Sequence, residues 1–166
     1  MLFSILILLL PLSFLPRYNA DSATLYGSLY HYPATSNNSP GSTRKVYDWD
    51  GGQFLGDIPE APTTYNVVGN INEHGLTVGE TTYGGIASLQ SQKGGVIDYG
   101  SLIYLALQRA TNAREAIHVM DRLMQDFGYA SEGESFSIGD SKEVWIMEVI
   151  GKGDFELGSV WVARYV

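Results

Sequence analysis

The sequence contains no cysteine at any of its 166 positions. This absence excludes disulfide bridges, cysteine zinc sites and a thiol nucleophile within these residues. Basic residues are also scarce, because 10 Lys and Arg stand against 18 Asp and Glu and give a formal net charge of -8. A surface of that sign repels phosphate backbones, so the composition predicts no nucleic-acid partner.

The apolar run at residues 2–15 is shorter than the about 20 residues that a membrane-spanning helix needs, and Pro11 interrupts it. We therefore expect no stable membrane span. Two interpretations of residues 1–16 stay open. One is the apolar part of a secretory signal, which would direct the protein to secretion or to an endomembrane or lysosome-like compartment. The other is the end of an incomplete or wrongly joined reading frame.

Residues 17–166 have the composition of one globular domain, since 45% of the sequence is hydrophobic. A hairpin is predicted from residues 65–71, a turn at 72–75 and a return strand at 76–83. Two helices follow, the first behind Asp98 and the second behind Asn112, with Glu115 completing a capping signal and Gly128 as the stop. Strands on both sides of an adjacent helix pair predict an α+β fold, in which antiparallel sheets carry a helical layer.

The last block returns to strands. Residues 135–138 are expected to pair with residues 144–150 across a turn at 139–142. Both alternating faces of "VWIMEVI" are apolar apart from Glu148, which predicts a strand covered on both sides. A further strand begins in "GSVWVARYV", and we interpret the end of the sequence within it as truncation.

A search for chemical motifs is mostly negative. The sequence has no GxGxxG, no phosphate loop with its Lys and no GxSxG. His74, with Glu73 and Glu80 close in sequence, has no second His nearby, so we interpret it as a solvated turn residue. The motifs therefore predict neither a metal site nor a cofactor.

Four segments resemble the secernin-related dipeptidase family. They are "YNADSATLYGSLYHYPA", "RKVYDWDGGQFLGDIPEAPTTYNVVGNINEHGLTVGETTYGG", "GVIDYGSLIYLALQRATNAREAIHVM" and "YASEGESFSIGDSKEVWIMEVIGKG" with the "GSVWVA" that follows. Together they span residues 18–166. The resemblance implies the αββα sandwich of N-terminal-nucleophile (Ntn) hydrolases, incomplete here, and the hydrolysis of dipeptides without metal or cofactor.

In that family a cysteine begins the mature chain. Its thiol attacks the peptide carbonyl, and its own α-amine accepts the thiol proton. Residues 1–16 stand where the strand with this cysteine is expected. The resemblance therefore implies that this polypeptide is an inactive, incomplete member of a dipeptidase family.

Three supporting residues follow from the resemblance. Asn19 and Asp21 match the last members of an Arg-Asn-x-Asp pattern, in which the Asp positions the amine of the nucleophile, and Tyr18 stands in place of the Arg. Thr82 lies where related acylases have an Asn near the oxyanion pocket. Its hydroxyl or backbone N–H would donate to a developing oxyanion.

Two alternatives to a dipeptidase stay open at this point. One is a non-catalytic, secernin-like interaction protein, which a cysteine-free member of the family would suit. The other is an amide acylase of the penicillin or bile-salt type. The sequence leaves the side-chain preference and the oligomeric state open.

Overall fold

The computed structural model describes residues 30–36 and 38–166. Nine strands and two α-helices form in this part of the chain. The strands are β1 (His31–Tyr32), β2 (Thr43–Tyr47), β3 (Phe54–Pro59), β4 (Val67–Val68), β5 (Ile71–Asn72), β6 (Thr77–Gly84), β7 (Gly133–Gly139), β8 (Val144–Gly151) and β9 (Ser159–Tyr165), and the helices are α1 (Tyr99–Leu107) and α2 (Ala113–Phe127).

Seven strands form one antiparallel sheet in the order β1-β4-β5-β6-β7-β8-β9, and β2 pairs with β3 in a separate two-stranded sheet. From β4 to β9 each strand pairs with the next strand along the chain. The two helices enter between β6 and β7, which are nevertheless neighbours in the sheet. This arrangement confirms the predicted α+β class with a large antiparallel sheet.

Both helices begin where their capping signals predict, and α2 ends at the predicted stop, Gly128. The Asp98 carboxylate accepts the Ser101 N–H (2.9 Å) at the start of α1, and the Asn112 side chain accepts the Glu115 N–H (3.0 Å) at the start of α2. Gly128 follows α2 at φ +74°, a left-handed conformation that ends the helix without the steric penalty of a Cβ.

The hydrophobic core lies between the helices and one face of the sheet. Alternate residues of β6, β7 and β8 point to this face because side chains alternate along a strand. Those fully buried there are Val78, Phe136, Ile138, Met147 and Val149. The apolar stripe of α2 packs against them, and each such side chain removed from water stabilises the fold by about 1.5–3 kcal/mol.

The other face of the sheet is more open. Ile146 and Ile150 of β8 are only half-buried and Glu148 is exposed, so the predicted covering of β8 on both sides is wrong for this structure. On the neighbouring β9, Val160 and Val162 share this face and are 52% and 59% exposed. The reason is geometric, because both helices pack on the opposite face.

The predicted strand at residues 65–71 is also wrong. Gly69 (φ +57°) and Asn70 form a tight turn, so that β4 and β5 pair with each other instead of making one continuous strand. The buried Asn70 amide donates to the Val78 carbonyl (2.7 Å) and fixes this turn against β6. Glycine tolerates the positive φ that the turn requires.

Asn72 joins the turn after β5 to the end of α1. Its side-chain oxygen accepts the N–H groups of His74 (3.0 Å) and Leu76 (3.1 Å). Its amide nitrogen donates to the carbonyls of Leu107 and Ala110, both at 2.8 Å. The side chain is buried and therefore satisfies carbonyl groups that the end of a helix leaves unpaired.

Gln92 makes a second buried amide contact, this time with the connection between β8 and β9. Its nitrogen donates to the carbonyls of Gly153 (2.8 Å) and Glu156 (2.7 Å). Its oxygen accepts the N–H groups of Tyr129 and Gly158, both at 3.0 Å. One side chain thus holds three separate parts of the chain together.

Within the described ranges, no helix combines the length and apolar character needed to cross a membrane. Residues 1–16 lie outside these ranges, and so does the predicted domain boundary between residues 16 and 17. The described part of residues 17–166 contains one hydrophobic core cluster.

Candidate functional site

Thr82 is the one predicted site residue that the structure describes, since Asn19 and Asp21 lie outside the described residues. It is exposed near the end of β6, opposite Glu134 of β7. Its hydroxyl donates to Glu134 Oε1 (3.0 Å). The hydroxyl proton that we expected to serve an oxyanion is therefore engaged by a carboxylate in this structure.

Glu80 and Glu134 form a carboxyl pair on the helix-covered face of the sheet. Glu80 lies two residues before Thr82 and pairs across the strands with Phe136, while Thr82 pairs with Glu134. Residues two apart on one strand share a face, as do residues paired across two strands, so both carboxyl groups point to the same side. The strand register alone brings them together.

Both members of the carboxyl pair are removed from water. Glu134 is 2% exposed and Glu80 is half-buried. Glu80 Oε2 and Glu134 Oε2 are buried and have no hydrogen-bond donor among the described residues. A charged oxygen in that position is unfavourable, and one proton shared between the two groups satisfies both.

The pKa values follow from this arrangement. Burial, and after it the neighbouring Glu80 carboxylate, raise the pKa of Glu134 to about 8. Burial is also the main cause that raises the pKa of Glu80, and Asp50 contributes to it. The pair therefore holds a proton at neutral pH.

The start of α1 belongs to the helix that packs against β6, the strand that carries Glu80. The buried carboxylate of Asp98, besides capping the helix, accepts the Trp49 N–H (2.6 Å), and Trp49 lies directly against Gly100. A Cβ on Gly100 would lie 2.3 Å from the Trp49 ring, so only glycine permits this approach. The Tyr99 hydroxyl donates to Asp50 (3.0 Å) and fixes the turn between β2 and β3 at the same place.

Tyr129 lies in the connection between α2 and β7, where its backbone bridges to Ile97. Its side chain is fully buried, and its hydroxyl has no hydrogen-bond partner among the described residues. Burial, the charge of Glu134 and then that of Asp98 raise the pKa of Tyr129 well above its usual value. The hydroxyl therefore stays protonated and lies within the electrostatic influence of Glu134.

This site can hold a proton or attract a cation, but the sequence provides no thiol for it. No set of three or more His, Cys, Asp or Glu side chains with the geometry of a metal site occurs in the described residues. His74 lies at an exposed turn, with its ring edge against Tyr65 (4.4 Å between centroids), and it is not part of the site.

The sequence model of peptidase family C69 matches residues 22–166, which is nearly the whole chain. The chain belongs to peptidase family C69. The segments quoted above from the sequence are therefore those of a peptidase, and the predicted family is confirmed. Within this C69 chain the match includes both strands of the carboxyl pair and the capped start of α1.

Sequence reasoning missed the carboxyl pair of the C69 chain, although a signal for it exists. Glu80 is in phase with the buried Val78, and Glu134 is in phase with the buried Phe136. A glutamate at a core position of an alternating strand is unusual, because a buried carboxylate is costly without a cation. That the two glutamates meet follows only from the register between β6 and β7.

Proposed function

We propose that this chain is a dipeptidase-family protein of the cysteine-type Ntn class, and that the 166-residue polypeptide binds dipeptides without cleaving them. The observation that carries the proposal is the C69 match over residues 22–166. The amino-acid composition explains why we expect no cleavage. Peptide cleavage in this class needs a thiol, and the sequence contains no cysteine.

The proposal includes the αββα sandwich that the resemblance to Ntn hydrolases implies, and the fold supports it. Helices cover one face of the large antiparallel sheet, as an outer layer of such a sandwich requires. The opposite face carries exposed apolar side chains, among them Val160 and Val162. A second sheet packed there would bury them in the way that sheet-on-sheet packing normally does.

We further propose that substrate binds at the Thr82 end of β6. Thr82 is exposed there, beside buried polar groups that have no partner among the described residues. In this proposal Thr82 supports the substrate carbonyl, while Asn19 and Asp21 keep the supporting roles that the resemblance gives them. A substrate that approaches Thr82 would compete with Glu134 for its hydroxyl proton.

Isotope-edited NMR of the full chain with alanyl-alanine, followed by mass spectrometry for free alanine, tests this proposal. We expect shifts of amide signals in β6 and β7 and no release of alanine. Thr82→Val should weaken binding several-fold because the donor is lost. Thr81→Val is the matched control, since it makes the same change on the opposite face of the same strand.

Two results would overturn the proposal. Release of alanine that persists after treatment with a thiol-alkylating reagent would show catalysis without cysteine. Absence of any binding to alanyl-alanine would remove the dipeptide as ligand and favour a non-catalytic protein with another partner.

A further inference from the structure

A cavity of about 340 Å³ lies between α2 and the chain segment that follows β3. Its volume falls within the range of small-molecule sites. The α2 wall consists of residues spaced three and four apart, which a helix places on one face. They are Val119, Arg122, Leu123, Asp126 and Phe127. Three of these five side chains are apolar and two are charged, so the cavity suits a ligand that has both characters.

Arg109, two residues after α1, also lines the cavity. Its side chain is only 16% exposed, and its Nη2 donates to the Pro59 carbonyl (3.2 Å). Its Nε is buried and has no hydrogen-bond partner among the described residues. Buried polar atoms normally have partners, so the hydrogen bonding of this guanidinium is incomplete.

The carboxylate that pairs with Arg109 is also bound to another cation. Glu60 Oε1 is 4.0 Å from Arg109 Nη2, whereas Glu60 Oε2 accepts a hydrogen bond from Arg44 Nε at 2.7 Å. Two guanidinium groups thus share one carboxylate. Burial, and after it the charge of Arg44, lower the pKa of Arg109. Arginine nevertheless stays protonated at neutral pH, so a positive charge without a full counter-ion remains.

The other charged residues of the lining leave the cavity positive. Arg122 is exposed on α2, and none of the four ion pairs in the described part of the chain includes it. Among the described residues that line the cavity, Asp126 is the single acidic one. Two arginines against one aspartate attract an anion, although the whole chain carries a formal net charge of -8.

We propose that this cavity binds a small organic anion, a carboxylate attached to an apolar body. Arg109 donates to the carboxylate with its planar fork of N–H groups, in the paired geometry that the two groups favour. Val119, Leu123 and Phe127 contact the apolar body, and Arg122 adds a second positive charge at the solvent side. Thr82 is not among the lining residues, so this site is independent of the proposed function.

An inorganic anion is a poorer match than an organic one. A free phosphate would bind the arginines but leave the apolar side chains of α2 in contact with water. An apolar body that covers them gains free energy in proportion to the area removed from water. A neutral ligand of the same shape would leave the guanidinium without a charged acceptor.

NMR titration of the isotope-labelled full chain at pH 7 tests the site with three probes: benzoate, benzamide and inorganic phosphate. We expect benzoate to cause saturable shifts of amide signals in residues 60–65 and 119–127. The Arg109 Nε–H signal should shift as well, because it reports the unpartnered donor directly. Benzamide has the same ring without the charge and should bind about tenfold more weakly. Phosphate should also bind more weakly than benzoate, because it lacks the ring.

Arg109→Gln and Arg122→Gln are the test variants. Arg109→Gln should weaken benzoate binding about tenfold. Arg122→Gln should weaken it only a few-fold, because salt screens an exposed charge. Both variants should fold, since Glu60 keeps its contact with Arg44 and Arg122 is exposed. Arg114→Gln is the matched control, because Arg114 lies on the same helix but does not line the cavity.

Each result of these titrations has a defined meaning. Benzoate binding that both test variants weaken, and that Arg114→Gln leaves unchanged, would support the site. Equal binding of benzoate and benzamide would overturn the recognition of an anion. Phosphate binding as tight as that of benzoate would overturn the role of the apolar wall. Absence of saturable shifts in these segments, or benzoate binding that neither test variant changes, would overturn the site itself.

Discussion

The buried Glu134 side chain is held by a hydrogen bond from an exposed residue, Thr82. Its carboxyl group is nearly inaccessible to water, and its Oε1 accepts the hydroxyl proton of the exposed Thr82. That bond favours the charged form of Glu134, but burial and the Glu80 charge outweigh it. The proton affinity of this residue is therefore set mainly by its environment in the folded state.

This balance predicts how stability depends on pH. The pKa of Glu134 is about 8 in the folded chain and near its ordinary value of about 4.3 in the unfolded chain. Between these values the folded state holds a proton that the unfolded state has lost, so the free energy of unfolding falls as pH rises. Glu134→Gln should flatten this fall, which amounts to at most about 1.4 kcal/mol per pH unit.

Urea unfolding of both proteins at pH 5, 7 and 9 measures the effect. All other ionisable groups are common to both proteins, so their contributions largely cancel in the difference. An equal pH dependence in the variant and the wild type would contradict the assignment of the raised pKa to Glu134.

At the scale of single residues, the sequence predicted the caps and missed the carboxyl pair. Asp98 and Asn112 were identified because a cap acts on N–H groups two or three residues away. Glu80 and Glu134 are 54 positions apart, and their proximity depends on how β6 and β7 pair. Local patterns carry little information on that register.

At the scale of elements, Asn72 links the turn before β6 to the carboxyl end of α1. Replacing it with alanine leaves two N–H groups and two carbonyls without their partner in a buried place. Asn72→Ala should lower the free energy of unfolding by about 3 kcal/mol. Urea unfolding followed by circular dichroism measures this loss.

Asn66→Ala is the control for this change. The Asn66 side chain makes a single bond near the surface, to His31 Nε2 (2.8 Å), and its loss should be worth about 1 kcal/mol or less. Equal losses in the two variants would mean that the contacts of Asn72 with α1 do not contribute.

Elements with strong local signals were predictable, and elements set by tertiary contacts were not. Both helices and the β7–β8 hairpin lie where the sequence predicted them, since periodicity and turn residues define them locally. The break between β4 and β5 was missed because residues 65–71 are rich in strand-forming residues. The turn at Gly69 and the buried amide of Asn70 override that preference.

At the scale of the whole molecule, the structure has one covered and one open sheet face. The sequence predicted a helical layer, but it also predicted cover on both sides of β8 from the apolar residues alone. The hydrophobicity of a strand does not indicate which other element of the fold buries each of its faces. In the proposed αββα sandwich a second sheet would cover Ile146 and Ile150, while the described residues bury only the face that carries Met147 and Val149.

The side-chain amide of Gln92 couples the local unfolding of two connections that are distant in sequence. Its oxygen is the shared acceptor for the N–H groups of Tyr129 and Gly158, which lie in different connections of the fold. Deuterium uptake at these two positions should therefore report the same opening event. In Gln92→Leu both should exchange faster together, whereas independent rates in the wild type would show that the two connections fluctuate separately.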